Sequence, residues 1–89
     1  ALLLFVEVKL ERTTPDVLDA FAAAIRCTPD VLECHLIAGG FDYLVKARVA
    51  DMSAYRQFLS DLLTAVPGIR ETRTYTVMEE VKDTTNLPI

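Results

Sequence analysis

The sequence predicts a two-layer α+β fold, in which a four-stranded antiparallel sheet carries two helices on one face. Three observations lead to it: residues 2–10 alternate with a period of two, two later segments have a helical apolar stripe, and the halves of the chain resemble each other at an offset of 38 residues. The offset aligns Thr13 with Asp51, Ile25 with Leu63, Pro29 with Pro67, and Val31 with Ile69. A doubled strand–helix–strand unit of 89 residues is typical of the ferredoxin-like βαββαβ sandwich.

The first half of the chain contains a strand, a helix and a second strand. The strand over residues 2–10 places these side chains on one face: Leu2, Leu4, Val6, Val8 and Leu10. Thr13-Thr14-Pro15-Asp16 predicts a helix start, since it offers a hydroxyl cap, an early proline and an acidic residue near the positive helix end. The helical stripe consists of Leu18, Phe21, Ala22 and Ile25. Thr28-Pro29-Asp30 ends this helix, and residues 31–38 form the second strand.

The second half repeats this order after a tight turn at Gly39-Gly40. Residues 42–49 form the third strand, and Asp51 caps a second helix that Pro67-Gly68 ends. The stripe of that helix consists of Tyr55, Phe58, Leu59, Leu62, Leu63 and Val66. Residues 69–81 form a long fourth strand, residues 83–86 are turn-like, and residues 87–89 form a short apolar end. We therefore assign residues 1–82 to one domain and residues 83–89 to a C-terminal tail with a short strand.

Two strands carry apolar side chains on both faces. The first has Leu3 and Phe5 opposite its main apolar face. The second has Leu32, Cys34 and Leu36 on one side and Val31 and Ile37 on the other. Two helices cover only one face of a sheet, so a second copy of the chain is the simplest cover for the other face. The sequence thus predicts a homodimer that forms through the sheets.

Composition excludes several classes of function. The formal net charge is −4, with 13 acidic and nine basic residues, so this chain is not expected to bind DNA or RNA by itself. No apolar run approaches the ~18 residues of a membrane span, so no membrane partner is expected. Two cysteines, Cys27 and Cys34, do not make a disulfide framework, which favours a reducing cytoplasm.

No arrangement of reactive side chains indicates catalysis or metal binding. Cys34 and His35 are neighbours on a strand and point to opposite faces, and His35 is the only histidine. Glu79 and Glu80 are also neighbours on a strand, so their carboxylates point to opposite faces and cannot act on one substrate. The basic residues Lys46, Arg48, Arg70 and Arg73 are interpreted as ion-pairing and solubility residues. We expect no catalytic residue, no metal and no cofactor.

The segment Gly39-Gly40-Phe41-Asp42-Tyr43 is the most informative one. As a hairpin turn, it would use glycine for positive φ and Asp42 to cap or bend the loop. As a binding site for a free amino acid, Asp42 would accept the ammonium group and the glycine N–H groups would bind the carboxylate. Met52, Tyr75 and Val77 would then supply a small apolar wall. Both interpretations fit the residues.

The sequence also resembles a known family over nearly its whole length. The resemblance lies in five segments: Leu32-Glu33-Cys34-His35-Leu36, Gly39-Gly40-Phe41-Asp42-Tyr43-Leu44, Asp51-Met52-Ser53-Ala54-Tyr55, Thr72-Arg73-Thr74-Tyr75, and Val77-Met78-Glu79-Glu80-Val81-Lys82. Together they are similar to the C-terminal domain of the Lrp/AsnC family, the leucine-responsive or feast/famine transcriptional regulators of bacteria and archaea. One departure is Gly40, where family members often carry Asp or another polar residue.

The resemblance implies a domain for amino-acid sensing and oligomerisation. It implies homodimers that pair through their sheets, a tetramer of dimers (an octamer), and an amino-acid effector such as leucine where two dimers meet. The effector-binding positions it implies are Gly39, Gly40, Asp42, Tyr43, Met52, Tyr75, Thr76 and Val77. DNA would be bound only through an N-terminal helix-turn-helix domain, which this chain lacks. The start at Ala1 without Met suggests that this domain was removed, and a stand-alone version of the domain is the alternative.

Two other functions compete with the sensor. Small dimeric isomerases and cofactor-free monooxygenases share this fold, but their cavities between helices and sheet contain polar side chains. Here both helical stripes are filled by Phe, Leu and Ile, which favours a packed core and argues against an enzyme. A purely structural assembly module without a ligand is the third reading, and the Gly-Gly-Phe-Asp turn suits it equally well.

Overall fold

The computed structural model describes residues 1–83, and these form four strands and two helices. In chain order the elements are β1 (Leu2–Leu10), α1 (Pro15–Arg26), β2 (Val31–Leu36), β3 (Tyr43–Val49), α2 (Met52–Ala65) and β4 (Ile69–Thr76). The sheet is antiparallel with the strand order β2-β3-β1-β4. This is the predicted ferredoxin-like βαββαβ sandwich. The short strand predicted within residues 83–89 lies outside the described residues, apart from Asp83.

The core lies between the sheet and the two helices. β1 contributes Leu4, Val6, Val8 and Leu10, and β3 contributes Tyr43, Val45, Ala47 and Val49. The helices contribute Phe21, Ile25, Phe58 and Leu62 to the same cluster. The period-two and helical patterns of the sequence are thus confirmed, because each selects the side chains that face this layer.

The predicted stripe of α2 is broader than the surface that the helix buries. Only Phe58 and Leu62 are buried within α2, whereas Leu63 is 41% exposed. Ile25, its counterpart at the offset of 38 residues, is buried. The repeat therefore holds for the order of the elements but not for the burial of this pair of helix positions.

The two helix starts differ in how they are capped. The Asp51 side chain accepts a hydrogen bond from the N–H of Ala54 at 2.8 Å, which is the predicted cap of α2. Thr14 occupies the cap position of α1 and Pro15 follows it, but the Thr14 hydroxyl does not cap the helix. The Thr14 side chain lies beside Asp16 instead and favours its charged form, which lowers the pKa of Asp16.

Two strands end earlier than the sequence predicts. β4 was expected to reach residue 81 but ends at Thr76, because its partner strand β1 begins at Leu2. The last hydrogen bond between the two strands joins the N–H of Val77 to the carbonyl of Leu3 at 2.9 Å. β2 was expected to reach residue 38 but ends at Leu36, opposite Tyr43 at the start of β3. The connection between β2 and β3 is therefore a six-residue loop over residues 37–42, and not a tight two-residue turn.

The sheet face opposite the helices is called the open face here. Cα partners of neighbouring strands share a face, so Phe5 lies between Lys46 and Tyr75, with Leu3, Leu44 and Arg48 around them. β2 contributes Glu33 and His35 to this face. The prediction of two apolar faces on β2 was wrong, because a register shift between Val31 and Glu33 turns Val31 toward the core. On β1 the prediction of two apolar faces is confirmed, because Leu3 and Phe5 lie on the open face and Leu4 and Val6 lie in the core.

Candidate functional site

The loop over residues 37–42 is held at the Leu10 end of the sheet by hydrogen bonds around Asp42. The N–H of Asp42 donates to the carbonyl of Val8 at 2.9 Å, and its carbonyl accepts from the N–H of Ile37 at 2.8 Å. The Asp42 carboxylate accepts from the N–H of Leu10 through Oδ2, also at 2.8 Å. Asp42 therefore fixes the loop onto β1, and Oδ1 remains available as an acceptor for a ligand.

This contact predicts different effects for two substitutions of Asp42. Asp42→Ala leaves the Leu10 N–H without its partner, so we expect a loss of about 1–3 kcal/mol in the free energy of unfolding. Asp42→Asn keeps an acceptor oxygen and removes the charge, so its stability should stay close to that of the unchanged chain. Urea unfolding measures both effects. Equal stability of Asp42→Ala and the unchanged chain would contradict the bracing role of Asp42.

The two loop glycines do not serve the conformational purpose that the sequence suggested. Among residues 1–83 no glycine has a positive φ, so that part of the prediction was wrong. A Cβ added at Gly40 would meet open space, and one at Gly39 would lie 3.7 Å from Ile37. Within the same residues, the N–H groups of Gly39 and Gly40 form no hydrogen bond. Both N–H groups and the space beside Gly40 are therefore available to a ligand.

Tyr43 lies in the core and not on the surface of the loop. Its ring stacks on Phe21, with ring centroids 4.1 Å apart and an interplanar angle of 21°. Burial raises the pKa of the Tyr43 hydroxyl, and the nearby Cys34, Asp42 and Asp19 raise it further. A packing role for the ring follows directly from this position.

The other four predicted residues lie at the opposite end of the sheet. Met52 is exposed at the start of α2, which follows the end of β3 beside Leu2. Tyr75 and Thr76 are exposed at the end of β4, and Val77 bonds to Leu3. Leu3 and Leu10, to which Val77 and Asp42 bond, are seven residues apart on one strand, or about 23 Å. One protomer therefore does not bring the eight residues together.

A surface cavity of about 260 Å³ lies beside the loop and on the open face. We call it the loop cavity; its lining residues are Glu7, Lys9, Gly40, Phe41, Glu71 and Arg73. Arg73 Nε donates to Glu71 Oε1 at 3.2 Å, and this pairing raises the pKa of Arg73. Of the predicted site residues only Gly40 lines it. The charged residues were missed because their convergence depends on the register of β1 against β4, although their alternation with a period of two was a usable signal.

A second polar group lies on the open face around Glu33. Glu33 pairs with His35 at 3.2 Å and with Lys46 at 3.7 Å, and these two neighbours lower its pKa. Lys46 also lies over the Phe5 ring, 5.9 Å from its centroid. No group of three potential metal ligands occurs in the described part of the chain. Within that part, no helix is both long and apolar enough to cross a membrane.

Comparison with known proteins gives a family match over almost the whole chain. Residues 3–87 match the family described as the Lrp/AsnC ligand binding domain. The leucine-responsive regulatory protein of Salmonella typhimurium is 53% identical over 89 residues, which are all of this chain and 54% of that protein. The protein of the same name from Escherichia coli K12 is 52% identical over the same extent. The chain thus spans about half the length of these relatives.

Solved structures give the same result. A transcriptional regulator from Neisseria meningitidis, in complex with L-Met, has a TM-score of 0.88 and 36% identity, covering 99% of this chain and 56% of that chain. An AsnC-family transcriptional regulator from Agrobacterium tumefaciens also has a TM-score of 0.88, at 29% identity. The match covers 98% of this chain and 56% of that chain. Escherichia coli AsnC is 20% identical and has a TM-score of 0.82, and the match covers 98% of this chain and 57% of that chain. This similarity supports the fold.

Proposed function

The chain belongs to the Lrp/AsnC family of transcriptional regulators as its ligand-binding domain, and we propose that it senses a free apolar amino acid and couples binding to assembly. The family is non-enzymatic, so the small-enzyme alternative is set aside. The observation that carries the proposal is the regulator bound to L-Met, which is similar to this chain over 99% of its length. The relatives named leucine-responsive add a second apolar amino acid, so we propose leucine or methionine as the effector.

The position of the predicted residues supports an effector site between copies of the chain. The loop group, with Gly39, Gly40 and Asp42, lies at the Leu10 end of β1, and the group of Met52 and residues 75–77 lies at the Leu3 end. About 23 Å of strand is far longer than an amino acid. A site that uses both groups therefore needs one end of one protomer to meet the other end of another. We propose that this contact occurs where two dimers meet.

The open face supports the dimer itself. Phe5, Leu3 and Leu44 are half-buried in a single protomer, and Tyr75 is exposed beside Phe5. Charged residues surround this apolar centre, with Lys46 and Arg48 on one side and Glu71 and Arg73 on the other. An apolar centre with a polar rim is typical of a protein–protein interface. We propose a homodimer through this face and a tetramer of dimers beyond it.

Ligand binding between dimers would change the population of assemblies. A ligand that has contacts in one assembly and not in another stabilises the first by its differential affinity. We propose that residues 1–82 act in this way within a cytoplasmic regulator, whose DNA is contacted by a separate helix-turn-helix domain. Assembly would then set the spacing of the DNA-binding domains.

Thermal unfolding of the chain with each of the twenty amino acids at millimolar concentration tests the proposal. A ligand at 100 times its Kd adds about 2.7 kcal/mol, which should raise the Tm of a domain of this size by roughly 10 °C or more. We expect the increase with leucine or methionine, and a smaller one for Asp42→Asn with the same ligand. The control is Asp61→Asn, which removes an exposed acidic side chain on α2, away from both the loop and the open face. A Tm unchanged by every amino acid, with the oligomer intact in light scattering, would favour the assembly module without ligand.

A further inference from the structure

Among residues 1–83, the helix side of the protein exposes an apolar groove between α1 and β2 and an apolar stripe along α2. We infer that these are the two halves of the contact between dimers, in which α2 of one copy docks in the groove of another copy. This inference rests on the proposed function and deepens it, since it names the surfaces that bring the two ends of the divided effector site together.

The first surface, which we call the β2 groove, lies where the edge strand β2 is not covered by α1. Cys34 and Leu36 are the Cα partners of the core residues Val45 and Tyr43, so their side chains point to the helix side and not to the open face. Leu36 is nevertheless 62% exposed, and Leu32 is 51% exposed. The groove has a volume of about 610 Å³, and its apolar lining includes Ala22, Ile25, Leu32, Cys34, Leu36 and Tyr43. A dimer that pairs through the open face leaves this groove uncovered.

The second surface, which we call the outer stripe, runs along one side of α2. Its members Met52, Leu59 and Leu63 lie seven and four residues apart, which places them on one line along the helix. Met52 is 52% exposed, Leu63 is 41% exposed and Leu59 is half-buried. Arg56 lies on the same line, and its aliphatic stem can cover apolar surface while the guanidinium stays in water. The outer stripe is therefore a helix face suited to an apolar groove.

The outer stripe cannot reach the β2 groove of its own protomer. Phe58 and Leu62 hold α2 in the core. The Tyr55 hydroxyl also bonds to the hydroxyl of Thr74 on β4. β4 and β2 form opposite edges of the sheet, so this bond keeps α2 away from the groove. A second copy can bring the two surfaces together, and every protomer offers both.

The dimensions of the two surfaces agree. The outer stripe from Met52 to Leu63 is about 17 Å long, and the stretch of β2 from Leu32 to Leu36 is about 13 Å long. One helix of this length covers both exposed leucines of the groove.

The direction of docking follows from the positions of the predicted effector residues. Leu36 directly precedes the loop over residues 37–42, which contains Asp42. Met52 is the member of the outer stripe that belongs to the predicted effector site. Docking with Met52 at the Leu36 end therefore places it beside the loop of the other copy. An effector held between Asp42 and Met52 would have contacts that exist only while the dimers are joined.

Sedimentation velocity at micromolar concentration tests the inference on the full chain, with and without leucine or methionine. Leu36→Asp places a charge in the β2 groove, and Leu63→Asp places one on the outer stripe. Ala23→Asp is the matched control, because Ala23 is exposed on α1 outside both surfaces. We expect Leu36→Asp and Leu63→Asp each to weaken the association of dimers by about tenfold or more, since a carboxylate desolvated without a partner opposes docking. The control should assemble as the unchanged chain does, and circular dichroism confirms that each variant is folded.

Disulfide formation tests the direction of docking. Leu36→Cys and Met52→Cys are combined in a chain that also carries Cys27→Ser and Cys34→Ala, and diamide is added as the oxidant. We expect chains linked in pairs on a denaturing gel, because the two positions meet across the contact. The control pair Ala23→Cys with Met52→Cys should give no such link.

The outcomes separate this inference from the proposed function. Unchanged assembly of Leu36→Asp or of Leu63→Asp would overturn the docking surfaces and leave the effector proposal standing. A chain that assembles beyond the dimer but forms no link between positions 36 and 52 would do the same. An equal loss of assembly in Ala23→Asp would overturn them too, because any charge on the helix side would then suffice. An unchanged chain that remains a dimer with both amino acids would contradict the inference and the proposed tetramer of dimers together.

Discussion

Phe21→Ala is expected to lower the free energy of unfolding by about 3–5 kcal/mol. The Phe21 side chain is fully buried between α1 and the sheet, and its ring stacks on Tyr43 at 4.1 Å. The substitution removes the largest of the fully buried side chains and the ring–ring contact, which by itself is worth about 0.5–1.5 kcal/mol. A chain of this size has a total stability on the order of 5–10 kcal/mol, so most of its margin would be lost.

Urea unfolding followed by circular dichroism measures this change. Leu63→Ala is the matched control, because Leu63 is 41% exposed on α2 and should cost less than about 1 kcal/mol. A loss in Phe21→Ala no larger than that in the control would mean that α1 does not pack on the sheet as described. Phe21→Leu should fall between the two, since it keeps part of the buried volume.

Phe5→Asp is expected to weaken the proposed sheet-to-sheet dimer by more than 100-fold. Phe5 lies at the centre of the open face, between its Cα partners Lys46 and Tyr75. A buried aromatic anchor commonly contributes more than about 2 kcal/mol to the free energy of binding at an interface. A carboxylate in its place would be desolvated on dimerisation without an opposite charge to pair with. Phe5 is only half-buried in one protomer, so the folded monomer should tolerate the change.

Sedimentation equilibrium at micromolar concentration measures the dimer, and circular dichroism confirms that each variant is folded. Leu63→Asp is the control for this experiment, because it places the same charge on the helical side of the protein, away from the open face. We expect it to leave the sheet-paired dimer intact. A monomeric unchanged chain, or a Phe5→Asp chain that dimerises as tightly as the control, would contradict dimerisation through the open face.

The order of the elements and the core were predictable because they depend on local patterns. The alternation of residues 2–10 and the stripe around Phe21 and Ile25 each select one face of one element. The Asp51 cap needs only the next three residues of the chain. The resemblance to the Lrp/AsnC family was likewise readable in the sequence, since it lies in the identity and order of residues.

Strand lengths and loop geometry depend on partners that are distant in the chain. β4 stops at Thr76 because β1 has few residues left to pair with it, although the apolar pattern continues to Val81. Val31 turns to the core through a shift in its pairing with β3, which no property of the segment itself indicates. The Gly39-Gly40 pair suggested a tight turn, but the register of β2 against β3 places six residues in the loop.

The sequence by itself determined the fold class, the positions of the helices and strands, and the family. Only the tertiary structure decided that the Asp42 carboxylate binds the N–H of Leu10, 32 residues away. It likewise decided that the predicted site residues separate into two groups at opposite ends of the sheet, and that Glu7 and Lys9 meet Glu71 and Arg73 beside Gly40. The reason is physical: side-chain periodicity is a property of a short segment, whereas a site depends on the register between strands, which long-range pairing sets.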